Sequence, residues 1–236
     1  MTSLKRLAVG SAALALGLAG LAALALLVVR PGADSPQVLP PSGVPLSFDL
    51  NRPVTILVRG WLWDPKSRLS SGRLEVFPSR VNDILQARYG MTTQVYEWRW
   101  SRNPSELPAA GRAFTARARG VAAEVAPSGH CANFVGHSAG AAIVFKGGAD
   151  GVPMGYMGTL GLPTAGRSKP ASVMTWANFY TSSHLDDIAG WGWGKGMGAD
   201  LNIDLSVPHN RLWDTEQTAA ISAEEIVRSW RDCRPR

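Results

Sequence analysis

Apolar residues occur in two patterns along the chain, and these patterns largely alternate from residue 54 onward. Short apolar runs are typical of strands that a parallel sheet buries on both faces. Such runs predict strands at 54–60, 92–98, 131–137, 154–163, 171–182 and 199–207. Segments with spaced apolar positions predict helices at 73–90, 106–126, after residue 138, and at 215–232. Strands that alternate with helices predict an α/β fold, with helices on both faces of a mostly parallel sheet.

The first thirty residues have a different character. No charged residue occurs in 7–29, and a helix over these residues would span about 35 Å, enough for a hydrocarbon core of about 30 Å. Lys5 and Arg6 precede the run, which predicts a cytoplasmic N-terminus. A cleaved signal peptide is the alternative, but its apolar region is usually about 7–15 residues long, and no clear cleavage site follows. We therefore predict an uncleaved transmembrane anchor over 1–30.

The segment 31–45 is rich in Pro, Gly and Ser, which predicts an extended linker. The remaining residues, 46–236, suit one domain. The anchor orients this domain outside the cytoplasm, in a periplasm or at the cell surface, and cleavage would make the protein secreted. Three of the 24 Lys and Arg residues precede the domain, so its excess over the 18 acidic residues is small. No basic cluster stands out, and we expect no nucleic-acid partner.

The stretch FVGHSAGAAIVF, residues 134–145, contains the strongest chemical motif. Gly136 and Gly140 flank Ser138 in the pattern G-x-S-x-G, which puts a serine on a sharp turn between a strand and a helix. A predicted strand precedes this serine and small, helix-compatible residues follow it. The alternative is a small residue in a tight turn, but the strand and helix on either side favour a nucleophile.

An activated serine needs a base, and the base needs an acid that orients it. In this architecture the acid and then the histidine follow the nucleophile along the chain. His209 comes after the last predicted strand, on the same side of the sheet as Ser138, whereas His184 reads as a surface-loop residue. The acid should follow the strand at 171–182, where Asp186 is favoured over its neighbour Asp187.

The third requirement is a pair of donors for the oxyanion. One is the backbone N–H of Ala139, directly after the nucleophile. The other should come from the loop after the first predicted strand, at Trp61 or close to it.

Together these pieces resemble the α/β-hydrolase superfamily, and within it the serine esterases and lipases. The resemblance spans about 46–232 and aligns Asp186 and His209 with the catalytic acid and histidine. Its motifs are LVRGW at 57–61, GHSAG at 136–140, TLGLPTAG at 159–166 and NFYTSSHLDDI at 178–188. Arg59 departs from the family, which often has His before this Gly. The first strands of the family sheet are missing or reduced to PLSFDL, residues 45–50.

The resemblance has two further implications. Only a short segment separates TLGLP from the acid, which implies a lidless, cutinase-like esterase. It also places Cys131 and Cys233 at the same end of the sheet, where an oxidising compartment would allow a disulfide. Two separate buried thiols are the alternative.

The chain contains nine tryptophans, an unusual number. Several follow predicted strand ends on the side of the site, where they would form an aromatic rim for an acyl chain or a membrane surface, or else pack in the core. They are Trp61, Trp63, Trp98, Trp100, Trp191, Trp193 and Trp213.

The sequence therefore predicts a membrane-tethered serine hydrolase that cleaves carboxylic esters of small molecules or lipids. Ser138, His209 and Asp186 would form its triad, with Ala139 and Trp61 at the oxyanion hole. No cofactor or metal is expected, because the histidines and cysteines lack ligand spacing. The alternatives are a cell-envelope acyltransferase and a catalytically silent hydrolase fold that serves as a binding or scaffold module.

Overall fold

The computed structural model describes residues 36–41, 44–60, 76–101, 103–163, 166–182 and 197–233. The chain divides into two compact units, Met1–Ala33 and Asp34–Arg236, and every described residue belongs to the second. The anchor predicted over 1–30 lies outside the described residues. Among the residues that are described, no helix has the length and apolar character to cross a membrane.

Seven strands in the described part of the chain form one parallel sheet in the order β1-β3-β2-β4-β5-β6-β7. The prediction of a parallel sheet is confirmed. The bounds are β1 Gln37–Val38, β2 Val54–Val58, β3 Gln94–Trp98, β4 Asn133–His137, β5 Met154–Leu160, β6 Val173–Tyr180 and β7 Leu201–Asp204.

Helices cover both faces of this sheet, as the alternating pattern predicts. Their bounds are α1 Val76–Tyr89, α2 Leu107–Val125, α3 Ala139–Ala149 and α4 Glu216–Asp232. Helices α2 and α3 share one apolar cluster with the sheet, and α1 and α4 share the other. Strand β2 contributes to both, with Ile56 in the first cluster and Leu57 in the second. Its run of apolar residues is therefore explained by burial on two sides, worth about 1.5–3 kcal/mol for each side chain.

The linker prediction needs one correction, at the first strand. Gln37–Val38 pairs with β3, and the N–H of Leu39 donates to the carbonyl of Glu97 at 2.9 Å. Leu39 is buried in the core, so part of 31–45 belongs to the folded domain. Residues 45–50 form no strand, and Phe48 instead packs edge-on against Tyr96. Two apolar residues beside a pair of prolines were too short a signal for a strand.

A disulfide joins Cys131, just before β4, to Cys233, just after α4, with the two Cα atoms 5.8 Å apart. This is the pair that the resemblance implied. The bridge lies at the amino ends of the strands. Because it closes a loop of about a hundred residues, the chain-entropy model assigns it about 4–5 kcal/mol.

Because all the strands are parallel, their carboxyl ends meet at the opposite edge of the sheet. Polar groups and the elbow serine follow the strands there, which is where open α/β sheets place their ligand sites.

Candidate active site

Ser138 lies between β4 and α3 in a strained backbone conformation, with φ 56° and ψ −124°. A non-glycine residue in such a sparsely populated region costs about 1–3 kcal/mol. Backbone hydrogen bonds on both sides hold it in place. Its N–H donates to the carbonyl of Leu160 at 2.8 Å, and its carbonyl accepts from Ala141 at 2.9 Å. A side chain forced into this turn at a strand end is the geometry of a nucleophile elbow.

The flanking glycines are required by close backbone contacts. A Cβ at Gly136 would overlap the carbonyl of Gly140 across the turn. A Cβ at Gly140 would lie 2.5 Å from the carbonyl oxygen of Arg59 and would overlap that of Val58. Helix α3 thus begins directly against the end of β2. These close contacts explain why the G-x-S-x-G pattern needs glycine at both positions.

His209 also lies at the carboxyl ends of the strands. It begins a 3-10 segment, His209–Asp214, after β7, and its side chain is buried. Gly161 has φ +61°, and a Cβ there would overlap the Cε1 and Nδ1 atoms of His209. Gly161 directly follows Leu160, the residue that accepts the Ser138 N–H. The imidazole and the serine therefore border two adjacent residues at the end of β5.

Burial lowers the pKa of His209 to about 4. The cause is desolvation, which disfavours the imidazolium form. At neutral pH the ring is therefore neutral, the form that can accept a proton from a serine hydroxyl. A carboxylate facing the ring would oppose this shift.

His137 connects the elbow to this histidine. Its Nε2 donates to the backbone carbonyl of His209 at 2.9 Å, and the two ring centroids are 4.7 Å apart. Since a carbonyl can only accept, His137 holds a proton on Nε2. The residue before Ser138 thus positions the backbone of His209. Sequence reasoning assigned His137 no role, although it stands inside the GHSAG motif.

The two predicted oxyanion donors differ in what the structure describes. Ala139 is the first residue of α3, so its N–H is one of the first-turn amides that have no acceptor inside the helix. Trp61 lies outside the described residues. The residue before it, Gly60, is described, and a Cβ there would lie 2.7 Å from the Cβ of Ser138. The backbone that leads to Trp61 therefore passes directly over the elbow.

Arg59, which departs from the family pattern, has a structural role of its own. Its Nε lies 2.6 Å from Oε1 of Glu97, a buried carboxylate at the end of β3. Its carbonyl accepts from Nε1 of Trp100 at 3.0 Å. Both contacts come from the β3 side, so the end of β3 holds the backbone that precedes Gly60.

The predicted acids, Asp186 and its alternative Asp187, lie outside the described residues. The chain just before them is anchored at Ser182. The N–H of Ser182 donates to Oδ1 of Asp204 at 3.1 Å, and its hydroxyl donates to Oδ2 of the same carboxylate. This anchor ties the end of β6 to the end of β7, the strand that leads to His209.

The tryptophans do not share one environment. Trp213 is fully buried and packs edge-on against Phe77, with ring centroids 5.1 Å apart. It belongs to the core and not to a rim. Trp98 and Trp100 are partly buried, and the other four residues of the proposed rim lie outside the described part of the chain.

Comparison with known proteins finds similarity at the level of structure. No family model matches the chain, and no curated protein matches it. Among solved structures, the chain is similar to a Trichoderma reesei cutinase in complex with a C11Y4 phosphonate inhibitor. The identity is 17% and the TM-score 0.43, over 74% of this chain and 75% of the cutinase. At these values the likeness carries no conclusion about activity, which has to come from the residues around Ser138.

Proposed function

We propose that this protein is a serine hydrolase of the α/β-hydrolase type that cleaves carboxylic esters through an acyl-enzyme. The observation that supports it most is the strained Ser138 elbow, with the buried imidazole of His209 against Gly161 beside it. A serine in an ordinary turn, such as Ser206 with its positive φ, does not need glycines on both sides.

In the proposed reaction, Ser138 Oγ attacks the ester carbonyl while His209 takes its proton. The backbone N–H groups of Ala139 and Trp61 stabilise the oxyanion. His209 then gives the proton to the leaving alcohol, and an acyl-serine remains. Water, activated by the same histidine, releases the acid. Asp186 would orient His209 and stabilise its protonated form during both steps.

The location is part of the proposal. A transmembrane anchor over 1–30 would hold the domain outside the cytoplasm. The Cys131–Cys233 disulfide supports this placement, because disulfides persist mainly in oxidising compartments. Lipid or small-molecule esters at the membrane surface would then be within reach.

Labelling by a fluorophosphonate probe tests the proposal on the full-length protein in detergent. We expect the parent to be labelled at Ser138, and the variants Ser138→Ala and His209→Ala to remain unlabelled. Ser206→Ala is the matched control, because Ser206 is the other described non-glycine residue with positive φ, at 50°. It should label like the parent.

A folded parent that resists the probe would refute the hydrolase and favour a binding or scaffold module. A labelled protein that transfers its acyl group to an alcohol faster than to water would be an acyltransferase instead.

A further inference from the structure

A cavity next to the elbow has no part in the proposed reaction. It has a volume of about 280 Å³ and is lined by Arg59, Glu97, Trp98, Arg99 and Trp100, at the carboxyl ends of β2 and β3. Arg59 directly precedes Gly60, the residue against Ser138. The cavity therefore begins next to the site where an ester would react.

Among the described residues that line this cavity, two side chains are positively charged and one is negatively charged. Glu97 is 4% exposed, and its two oxygens meet Nε of Arg59 at 2.6 Å and Nε of Arg99 at 3.2 Å. Two guanidinium groups thus share one carboxylate within the lining that the structure describes. The side chain of Arg59 is 17% exposed, whereas that of Arg99 is 63% exposed. Glu97 meets Arg99 at Nε, and a guanidinium carries four further N–H donors.

The walls of the cavity are held in place. The ring of Trp98 packs edge-on against Phe114, with centroids 5.3 Å apart, and Trp100 donates from Nε1 to the carbonyl of Arg59. Glu97 forms ion pairs with both arginines. A ligand group that enters would meet a preformed cationic site between aromatic surfaces. Binding would therefore cost little side-chain entropy.

We propose that this cavity binds an anionic group of the substrate, so that the enzyme prefers esters that carry a carboxylate or a phosphate. Planar guanidinium groups match both anions, with paired N–H donors that neutral esters cannot use. Arg99 is the specificity-determining residue, and Arg59 is held closer to the elbow. This inference rests on the proposed hydrolase function and names its substrate class.

The test compares two substrates of similar length, 4-nitrophenyl hydrogen adipate and 4-nitrophenyl heptanoate, in full-length parent and Arg99→Gln. In the parent we expect a higher kcat/KM for the anionic ester. Arg99→Gln should lower that value by about threefold to tenfold, the range of a partly exposed, charge-assisted contact, and should lower kcat/KM for the neutral ester by much less. Added salt should weaken the preference of the parent, because it screens exposed charges.

Arg88→Gln is the matched control. Arg88 also pairs with one carboxylate, that of Glu224 at 2.8 Å, and its side chain is 52% exposed, but it lies on α1 and outside the cavity. It should leave both rates unchanged. A second pair of substrates, a monoacylglycerol phosphate and the matching monoacylglycerol, shows whether a phosphate on the alcohol part is preferred in the same way.

An equal loss on charged and neutral esters in Arg99→Gln, or no anionic preference in the parent, would overturn the subsite while the hydrolase stands. No turnover of any ester together with no probe labelling would overturn the hydrolase, and the subsite with it.

Discussion

The two edges of the sheet are built in opposite ways. At the amino edge, Cys131 and Cys233 are joined covalently, and Asn133 is satisfied from two sides. Its Oδ1 accepts from Ser229 at 2.6 Å, and its Nδ2 donates to the carbonyl of Val54 at 3.2 Å. Every one of these contacts stabilises the folded state relative to the unfolded chain.

The carboxyl edge holds groups whose backbone strain or desolvation opposes folding. Ser138 has a positive φ, Glu97 is a buried carboxylate, and burial lowers the pKa of His209. Strain and desolvation of this kind persist only where the surrounding structure imposes them, and they concentrate at functional sites. The comparison teaches that favourable contacts at the amino edge offset the free-energy cost of the groups at the carboxyl edge. Changes at the two edges should therefore affect different quantities.

The largest effect is expected at the elbow, where Ser138→Gly should separate activity from stability. Under the proposed function, esterase activity should fall by about 10⁴-fold or more, because the proposed nucleophile is lost. The folded state should gain stability over Ser138→Ala, by roughly 1 kcal/mol, since glycine adopts φ 56° without a Cβ clash. Urea unfolding of the two variants measures the difference.

Equal stability of the Gly and Ala variants would show that the elbow is not strained, and that the two edges differ less than argued. Ser206→Gly against Ser206→Ala is the control pair. Ser206 also has a positive φ but is no member of the proposed triad, so its Gly and Ala variants should differ in stability and not in activity.

The second effect belongs to the amino edge. Replacing both Cys131 and Cys233 by serine should lower the free energy of unfolding by about 4 kcal/mol, within the usual range of 2–5 kcal/mol for a native disulfide. Below the unfolding temperature, kcat/KM should stay close to that of the parent, because the bridge and the elbow lie at opposite ends of β4. Denaturant unfolding and ester hydrolysis, measured on the same samples, check both statements.

The parent in a reducing agent should reproduce the loss of stability, which controls for the serine side chains. A fall in kcat/KM of the folded double variant would mean that the two edges are coupled, against the division proposed here.

Features with a local signal could be predicted from the sequence. The apolar runs indicated the strands because burial on two faces leaves a continuous pattern. The turn at Ser138 was recognisable because the residues it requires, Gly136, Ser138 and Gly140, all lie within five positions of sequence. The catalytic roles of Ser138 and His209 remain predictions. Asp186 remains a prediction, since it lies outside the described residues.

Features that depend on pairing between distant residues could not be predicted. Arg59 meets Glu97 because β2 and β3 pair with Leu57 beside Glu97, a register that no local pattern encodes. His137 reaches the carbonyl of His209 across 72 positions of sequence. The position of Trp213 in the core depends likewise on Phe77, which belongs to a different helix.

The smallest of the three effects is the pH dependence of the free energy of unfolding. It is expected from His209 at the carboxyl edge and not from the disulfide at the amino edge. His209 has a folded pKa of about 4, below its unfolded value of about 6.5. Between these values the unfolded chain binds the proton and the folded chain does not. Stability from the neutral, buried ring is therefore fully present above pH 6.5 and is lost as the pH falls toward 4. The shift corresponds to roughly 3 kcal/mol.

Urea unfolding of the parent and of His209→Gln at pH 7 and pH 4.5 isolates this contribution, because all other titrating groups are shared. The parent should lose more stability than the variant over this interval, by about 2–3 kcal/mol. The parent and the cysteine double variant should instead differ by the same amount at both pH values, because a disulfide does not titrate. If His209→Gln loses as much stability as the parent, the ring is not desolvated in solution. The carboxyl edge would then hold a solvated histidine, and the energetic contrast with the amino edge would rest on Ser138 and Glu97 alone.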